Sequence, residues 1–321
     1  MTTLPTLAEI EAAAHAIAPY CPPTPQYAWP LLAARAGCEV WVKHENHTPI
    51  GAFKLRGGLW YLESLKRSGR HHAGLVSATR GNHGQSLALA GRLHGVPVTI
   101  VVPAGNSREK NAAMRAFGAE LIEAGSDFEA AREAAAALAV ARGLEMVPPF
   151  HGDLVCGVAT YALEFFRHAP PLDAVYVAIG MGSGCCGLLA ARDALGLATD
   201  IIGVVADRAP AYALSFDQGH VVTTGPVDTL ADGVACRAPS AEALALIRHG
   251  VKRIVRVGEA DIMAAMRAYY TDTHNLAEGA GAIALAALLD ETARGVQRGR
   301  RLGVVLSGGN VDAEVFARVL A

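Results

Sequence analysis

Lys54 stands in an unusual setting for a lysine. It lies in the segment PIGAFKLRGG, residues 49–58, among apolar residues and glycines that open a predicted helix. An amine that acts as a nucleophile must be neutral for part of the time, and partial burial near positive charge lowers its pKa. Arg56 and the helix N-terminus could supply that charge. The segment therefore predicts a reactive amine at Lys54, and ordinary loop packing is the alternative.

The other four lysines set Lys54 apart. Lys66 and Lys110 fall on predicted amphipathic helices, and Lys252 precedes an arginine, so we expect all three to be solvated. Lys43 lies on a predicted strand, and the pattern around it does not decide which face it occupies. The sequence thus offers a single lysine, Lys54, whose surroundings favour chemistry.

A glycine cluster, AIGMGSGCCGLL at residues 178–189, follows a predicted strand and precedes a predicted helix that starts at Gly187. Backbone N–H groups are exposed at such a turn, and the helix dipole favours negative charge there. The cluster therefore predicts a phosphate site. Two alternatives stay open: a plain strand–helix turn, and a dinucleotide site in which Asp207 would bind the ribose.

Two further segments place polar side chains directly after predicted strands. In SATRGNHGQ, the side chains of Thr79, Asn82 and His83 and the free N–H groups of a helix would cradle a carboxylate or a phenolate. Alternatively, Asn82 only caps the helix. In VVLSGGN, Ser307 would present a hydroxyl, or it simply begins a turn. Because ligands bind at the carboxyl ends of parallel strands, these segments can meet in one cleft.

Predicted strands and helices alternate along nearly the whole chain, which indicates parallel sheets covered by helices. Apolar residues make up 52% and charged residues 18% of the 321 residues, so the chain can bury a large core. The segment VPPFHGD, residues 147–153, is the best candidate for a crossing between two lobes. We therefore expect two α/β lobes with a cleft between them.

Composition excludes several classes of partner. A net charge of −2 and a pI near 6.6 give no reason to expect nucleic acid or an anionic membrane. The apolar runs fall short of the ~18 residues that a membrane span needs, and the N-terminus has acids but no basic start. We expect a cytoplasmic protein whose six cysteines are reduced and form no zinc site.

Taken in order, FKLRG, GNHGQ, the glycine cluster and the final SGGN resemble the serine/threonine dehydratases among the fold-type II pyridoxal-phosphate enzymes. TLADGVACR and AEGAGAIALAAL resemble the same family, so the similarity spans nearly the whole chain. The resemblance implies an α/β fold of two open, twisted, mostly parallel sheets flanked by helices, with pyridoxal 5'-phosphate in the cleft between two domains. It also implies a large domain (residues 1–46 and 150–321), a small mobile domain (residues 47–149) and a homodimer or homotetramer.

The same resemblance implies a role for each motif. Lys54 would form a Schiff base with the cofactor aldehyde, Phe53 would pack on the pyridine ring, and Asn82 would bind the ring hydroxyl. Ser307 would face the ring nitrogen, and a neutral hydroxyl there makes the ring a weaker electron sink, which favours β-elimination over racemisation. The cofactor phosphate would be held by Gly180, Met181, Gly182, Ser183 and Gly184, and the substrate carboxylate by Thr79, Asn82 and His83.

Three features depart from the family pattern. Arg80 stands where many relatives have serine or alanine, and its guanidinium cannot serve as the second acid/base of a serine racemase. Arg80 could instead contact a carboxylate or an aromatic ring of the substrate, or point out of the cleft. Val205 and Ala211 replace two expected oxygen ligands, so we expect no divalent metal. The chain ends soon after SGGN, and we expect no regulatory domain of the biosynthetic threonine dehydratase kind.

The sequence therefore predicts a pyridoxal-phosphate-dependent ammonia-lyase that converts a 3-hydroxy-L-amino acid to a 2-keto acid and ammonia. Serine, threonine, phenylserine and 3-hydroxyaspartate are all open as substrates. The nearest alternative is a β-replacement enzyme of the cysteine synthase type, because the glycine cluster also resembles the phosphate loop of that group. A nicotinamide-dependent dehydrogenase and a non-catalytic amino-acid sensor are the alternatives from other classes.

Overall fold

Two β-sheets organise the chain, of which the computed structural model describes residues 3–69, 73–297 and 300–321. The runs of apolar residues that the sequence places between glycines and prolines form most of their strands. The strands are β1 (Gln26–Ala28), β2 (Glu39–His44), β3 (Leu75–Ala78), β4 (Val98–Val102), β5 (Glu120–Glu123), β6 (Glu145–Met146), β7 (Ala174–Ala178), β8 (Asp200–Ala206), β9 (Arg253–Val257) and β10 (Arg301–Leu306).

Both sheets are almost entirely parallel, as the sequence predicted. The larger sheet has the order β1-β2-β10-β7-β8-β9, and the smaller sheet has the order β5-β4-β3-β6. Among the strands of the described residues, only β1 and β2, at one edge of the larger sheet, pair in antiparallel fashion. Because the carboxyl ends of parallel strands lie at one edge of a sheet, the loops that follow β2, β7 and β10 come together there.

Helices cover the sheets, which explains why inner strands such as β4 are mostly apolar and are buried at every position. None of the helices in the described part of the chain is long and apolar enough to cross a bilayer. The helices are α1 (Leu7–Ile17), α2 (Pro30–Ala36), α3 (Lys54–Arg67), α4 (Asn82–His94), α5 (Arg108–Ala116), α6 (Phe128–Arg142), α7 (Gly152–His168), α8 (Ser183–Ala194), α9 (Ala211–Gln218), α10 (Ala241–Gly250), α11 (Glu259–Thr273), α12 (Gly279–Ala293) and α13 (Ala313–Leu320).

The structure corrects the predicted elements at two kinds of position. Helix α8 begins at Ser183, four residues before the predicted start at Gly187, so Gly184 belongs to its first turn and Gly187 lies inside the helix. Burial of the Cys185 and Cys186 side chains outweighs the weak helix propensity of this segment. The strands β1, β6 and β9 were not predicted, because two of them are very short and β9 (RIVRV) is interrupted by arginine.

Candidate active site

One cavity lies at the carboxyl ends of strands from both sheets. Segments that follow β3 of the smaller sheet and segments that follow β7 and β10 of the larger sheet form its walls. The structure therefore brings together the segments that the sequence expected to converge. The predicted site residues that line this cavity are Phe53, Lys54, Thr79, Arg80, Asn82, His83, Gly180, Met181, Gly182, Ser183, Gly184 and Ser307.

Lys54 is the first residue of α3, and its amine contacts the glycine cluster. Nζ donates a hydrogen bond to Ser183 Oγ at 3.0 Å and lies 4.9 Å from the centroid of the Phe53 ring. Desolvation by burial lowers the pKa of Lys54 to about 8. Roughly a tenth of the amine is therefore neutral at pH 7, far more than for an ordinary lysine with a pKa of about 10.4, which suits a nucleophile.

The loop before α3 is fixed to the end of β10. The backbone N–H of Phe53 donates to the Ser307 carbonyl at 3.0 Å, and Ala52 pairs with Gly308 in an isolated β-bridge. Ser307 is itself buried, and its Oγ donates to the Ala280 carbonyl at 3.2 Å. These contacts place Lys54 and Ser307 in the same cavity although they lie far apart in sequence.

Arg56 is not the charge that shifts the pKa of Lys54, contrary to the expectation from the sequence. Its guanidinium is fully buried and donates to the carboxylates of Glu45 and Glu164, with N–O distances of 2.6–3.0 Å. Lys43, also fully buried, joins the cluster through Glu164 at 2.6 Å. Since two carboxylates neutralise Arg56, burial is the cause of the shift at Lys54. The cluster instead ties α3 to β2 and α7.

The glycine cluster forms a turn between β7 and α8 that other residues could not adopt without strain. Gly182 has φ +103°, and a Cβ there would lie 2.7 Å from the Cβ of Ala243. A Cβ on Gly180 would lie 2.3 Å from the Gly233 carbonyl oxygen. The first N–H groups of α8 have no acceptor within the helix. Ser183 and Gly184, which carry the first two of them, line the cavity. The turn thus has the backbone geometry of an anion site.

Asn82 and His83 open α4 at the opposite wall of the cavity. His83 Nε2 is buried and has no hydrogen-bond partner within the described ranges. Burial, and then the positive charge of Lys54, lower the pKa of His83 to about 3, so the imidazole is neutral. Thr79 Oγ1 accepts a hydrogen bond from the Gly81 N–H at 3.1 Å. This wall therefore combines a helix N-terminus with neutral polar side chains.

Lys110 belongs to the cavity wall, so the expectation that it is solvated was wrong. Its Nζ lies 2.5 Å from Asp232 Oδ2 and 3.3 Å from Glu278 Oε2. Glu278 accepts a hydrogen bond from Asn82, which also accepts one from Asn310. Sequence reasoning gave Asp232, Glu278 and Asn310 no role. The signal lay in TLADGVACR and AEGAGAIALAAL, which hold Asp232 and Glu278, and in the last residue of SGGN.

Of Arg80 and Asp207, two residues that the sequence offered as ligand contacts, Arg80 lies at the cavity and Asp207 lies away from it. Arg80 lines the cavity and is exposed, and its backbone carbonyl accepts a hydrogen bond from Asn106 at 3.1 Å. Asp207 is exposed, pairs with Arg256 at 3.1 Å and is not among the described residues that line the cavity. Asp207 therefore takes no part in this site.

Comparison with known proteins identifies the family. The family model described as "Pyridoxal-phosphate dependent enzyme" matches residues 17–308. The chain belongs to this family. Pyridoxal phosphate is therefore its cofactor, and the nicotinamide-dependent dehydrogenase considered from the glycine cluster was wrong.

Within the pyridoxal-phosphate dependent enzymes, several relatives are similar over most of the chain. The L-threonine ammonia-lyase of Thermotoga maritima is 32% identical, over 90% of this chain and 72% of that protein. The L-threo-3-hydroxyaspartate ammonia-lyase of a Pseudomonas species is 33% identical, over 92% of both chains. In structure, the chain is similar to maize serine racemase with a TM-score of 0.92, at 26% identity, over 99% of this chain and 97% of that one.

The residues of the cavity fit pyridoxal phosphate. Lys54 provides a partly neutral amine for the aldehyde, and the turn at residues 180–184 provides backbone N–H groups for a phosphate. A Cβ on Gly184 would lie 3.4 Å from Phe53 Cζ, an ordinary contact distance, so the turn and the Phe53 ring are neighbours in the cavity. The unpartnered His83 Nε2 adds a buried polar atom that a ligand can satisfy.

Proposed function

We propose that this chain is an ammonia-lyase that converts a 3-hydroxy-L-amino acid to a 2-keto acid and ammonia. The observation that carries the proposal is the hydrogen bond of 3.0 Å between Lys54 Nζ and Ser183 Oγ. This bond connects a reactive amine to the turn at residues 180–184, which has the geometry of a phosphate site. The polar residues that open α4 line the same cavity. The two relatives named as ammonia-lyases support the reaction.

Five parts of the cavity would hold the cofactor. Lys54 would bind the aldehyde carbon, and the N–H groups of residues 180–184 would donate hydrogen bonds to the phosphate. Phe53 would pack against one side of the ring. Asn82 would bind the ring hydroxyl, and Ser307 would lie at the ring nitrogen as a neutral hydroxyl. When bound there, pyridoxal phosphate supplies an electron sink for negative charge at the α-carbon of an amino acid.

The substrate carboxylate would bind at the N-terminus of α4. Free N–H groups and the helix dipole favour an anion there. Thr79 Oγ1 and the neutral His83 Nε2 are the side-chain atoms next to these N–H groups that can hydrogen-bond the carboxylate. Asn82 would contribute its backbone N–H, which has no acceptor within the helix because Asn82 is the first residue of α4. Binding in this way would orient the substrate with its α-hydrogen toward Lys54.

Lys54 would be the base of the reaction. Its pKa of about 8 lies near working pH, which suits a group that must take up a proton at Nζ and release it again. The Ser183 hydroxyl accepts a hydrogen bond from Nζ and so keeps the amine oriented. After the α-proton has moved to Lys54 Nζ, the β-hydroxyl would take up a proton, which the Lys54 ammonium or the phosphate of the bound cofactor can supply, and would leave as water. Addition of a second water molecule would then release the keto acid and ammonia.

Substitution of Lys54 tests the proposal. We expect Lys54→Ala to lower the release of keto acid and ammonia by about 10³-fold, because the base that abstracts the proton is lost. The assay uses serine, threonine, phenylserine and 3-hydroxyaspartate, and Lys252→Met, at an exposed lysine, is the control. Borohydride treatment of the wild type should attach the cofactor to Lys54, as seen by mass spectrometry. Full turnover by Lys54→Ala, or a wild type that takes up no pyridoxal phosphate, would refute the proposal.

Racemisation and β-replacement are the competing reactions within the family, and the similarity to maize serine racemase keeps the first in view. Arg80 favours the lyase, since a guanidinium stays protonated and cannot serve as a second base. The same assays separate the three reactions. Release of D-serine from L-serine would indicate a racemase, and product formation that requires sulfide would indicate a β-replacement enzyme.

Arg80 also bears on the choice of substrate. Its side chain stands at the cavity and is suited to contact a carboxylate or an aromatic ring at the β-carbon. 3-Hydroxyaspartate and phenylserine would carry such groups, whereas serine and threonine would not. Higher kcat/KM for either of the first two is therefore the outcome that we expect from the substrate panel.

Three further predictions go with this function. The division into a large domain (residues 1–46 and 150–321) and a small mobile domain (residues 47–149) would let the cleft close over the substrate. A homodimer or homotetramer and a cytoplasmic location also stay predictions.

No residue of the site is assigned to a metal, and no three His, Cys, Asp or Glu side chains in the described ranges are grouped to hold one.

A further inference from the structure

Lys110 carries a positive charge from α5 into the wall of the cavity. Its Nζ forms ion pairs with the carboxylates of Asp232 and Glu278. Both acids line the cavity on the side of the larger sheet. Only 7% of the Lys110 side chain and 4% of the Glu278 side chain are exposed, whereas Asp232 is 32% exposed. The pair of Lys110 and Glu278 is therefore an internal charge pair, and Asp232 closes it off toward solvent.

Glu278 links Lys110 to Asn82. Its Oε2 accepts from Lys110, and its Oε1 accepts from Asn82 Nδ2 at 2.6 Å. The other end of the Asn82 amide is also held, since Oδ1 accepts from Asn310 Nδ2 at 2.8 Å. Asn310 Nδ2 donates to the Ile50 carbonyl as well, so its own orientation is fixed. Asn82 is thus left with one N–H of Nδ2 to offer to the cavity.

Two glycines leave room for this chain of contacts. A Cβ on Gly81 would lie 2.6 Å from Lys110 Cδ, so any other residue there would obstruct the path of the lysine. A Cβ on Gly308 would lie 2.5 Å from Glu278 Oε1 and 3.3 Å from Asn82 Nδ2. The glycines of GNHGQ and SGGN therefore make space for the side chains that connect Lys110 to Asn82.

We infer that Lys110 is a positioning residue for the cofactor: by neutralising Glu278, it fixes Asn82 so that the amide presents an N–H to the cavity. This inference rests on the proposed function, in which Asn82 binds the ring hydroxyl. Lys110 acts only through Glu278 and Asn82, and it need not touch the cofactor itself.

The charge of Lys110 is what makes Glu278 a reliable acceptor. Although burial opposes it, attraction to Glu278 and Asp232 raises the pKa of Lys110 above its usual range. Burial raises the pKa of Glu278, and the positive charge of Lys110 acts against that rise. Without the lysine, Glu278 would be an uncompensated buried carboxylate, which is costly unless it takes up a proton. A protonated Glu278 could donate to Asn82, and the amide would then be free to turn.

Removal and restoration of charge balance test the inference. In the holoenzyme, we expect Lys110→Met to weaken retention of pyridoxal phosphate about tenfold, the loss expected when a charge-assisted contact is removed from a buried network. It should also shift the visible absorbance maximum of the bound cofactor. Adding Glu278→Gln to Lys110→Met removes the unpaired carboxylate and keeps an oxygen for Asn82. The double variant should therefore recover retention to within about threefold of the wild type.

Retention is measured by diluting the holoenzyme and following free pyridoxal phosphate. Lys252→Met makes the same chemical change at an exposed lysine and should leave retention and absorbance unchanged. Wild-type retention by Lys110→Met, or a double variant as impaired as the single one, would overturn the inference. If Lys110→Met does not fold, the double variant decides: folding with bound cofactor supports the role of charge, and failure to fold contradicts it. A wild type without pyridoxal phosphate would instead refute the proposed function.

Discussion

Two lysines of the cavity have opposite electrostatic surroundings. Lys54 contacts the Ser183 hydroxyl and has no carboxylate partner among the described residues, whereas Lys110 has two. Burial therefore lowers the pKa of Lys54 to about 8, and ion pairing raises the pKa of Lys110. One amine is available for chemistry near neutral pH, and the other is a fixed charge.

The low pKa of Lys54 predicts how the protein takes up its cofactor. After pyridoxal phosphate has been removed, we expect the rate of its recapture to rise with pH and to level off above about 8. The reason is that only the neutral amine attacks an aldehyde, and an amine with a pKa of about 8 is mostly neutral above that pH. Stopped-flow absorbance measures this rate. A rate that still climbs steeply at pH 10 would contradict the shifted pKa.

The residues of the site divide into those that sequence could find and those that it could not. Lys54, Asn82 and Ser307 each lie in a short motif whose glycines mark a strand end or a helix start, so local pattern is sufficient. Lys110 looks like an ordinary helix-surface lysine, because the carboxylates that bury and neutralise it lie more than a hundred positions away. Such a role is tertiary and leaves no local signal.

Among the structural elements, the turn between β7 and α8 depends most directly on its glycines. Gly182 has φ +103°, in the left-handed region, and a Cβ would lie 2.7 Å from another Cβ. At Gly196, at the other end of the same helix, φ is +63° but a Cβ would meet nothing within 4 Å. A side chain at Gly196 would cause backbone strain alone, whereas a side chain at Gly182 would cause backbone strain and a steric clash in the turn between β7 and α8.

We expect Gly182→Ala to lower the free energy of unfolding by roughly 1–3 kcal/mol and to weaken cofactor binding, because the turn must shift. Gly196→Ala should cost about 1–2 kcal/mol, from backbone strain without a clash, and leave cofactor binding unchanged. Urea denaturation and titration with pyridoxal phosphate measure the two effects. Equal behaviour of the two variants in both measurements would show that the turn tolerates a side chain.

The elements themselves were largely predictable, apart from details that packing decides. Apolar runs such as β4 and β7 are typical of strands buried in parallel sheets, and they were found. The start of α8 was placed too late, because serine, glycine and cysteine form helices poorly on their own. The segment is helical here because the fold buries it against α7.

For the molecule as a whole, the buried charges around Arg56 hold distant parts of the chain together. The cluster of Lys43, Glu45, Arg56 and Glu164 joins β2, the turn after it, α3 and α7. Two positive and two negative charges balance each other away from water. Because the helix that begins with Lys54 also carries Arg56, the cluster fixes the position of the reactive amine without touching it.

We expect Arg56→Met to lower the free energy of unfolding by about 3–5 kcal/mol, because it leaves two buried carboxylates without their main partner. Arg67→Met removes an exposed ion pair with Glu63 and a cation–π contact with Trp60, both on the same helix, and should cost about 1 kcal/mol or less. Chemical denaturation compares the two. Similar losses for both variants would mean that the internal cluster contributes no more than a surface pair.

The position of β10 has a consequence for synthesis of the protein. This strand contains Arg301–Leu306 and lies between β2 and β7, so it inserts into the centre of the larger sheet. Until the ribosome has made residues 301–307, β2 lacks its inner neighbour and Phe53 lacks its contact with the Ser307 carbonyl. The reactive lysine therefore acquires its final surroundings only after residues 301–306 have been made, and until then the larger sheet has unpaired strand edges, which favour aggregation.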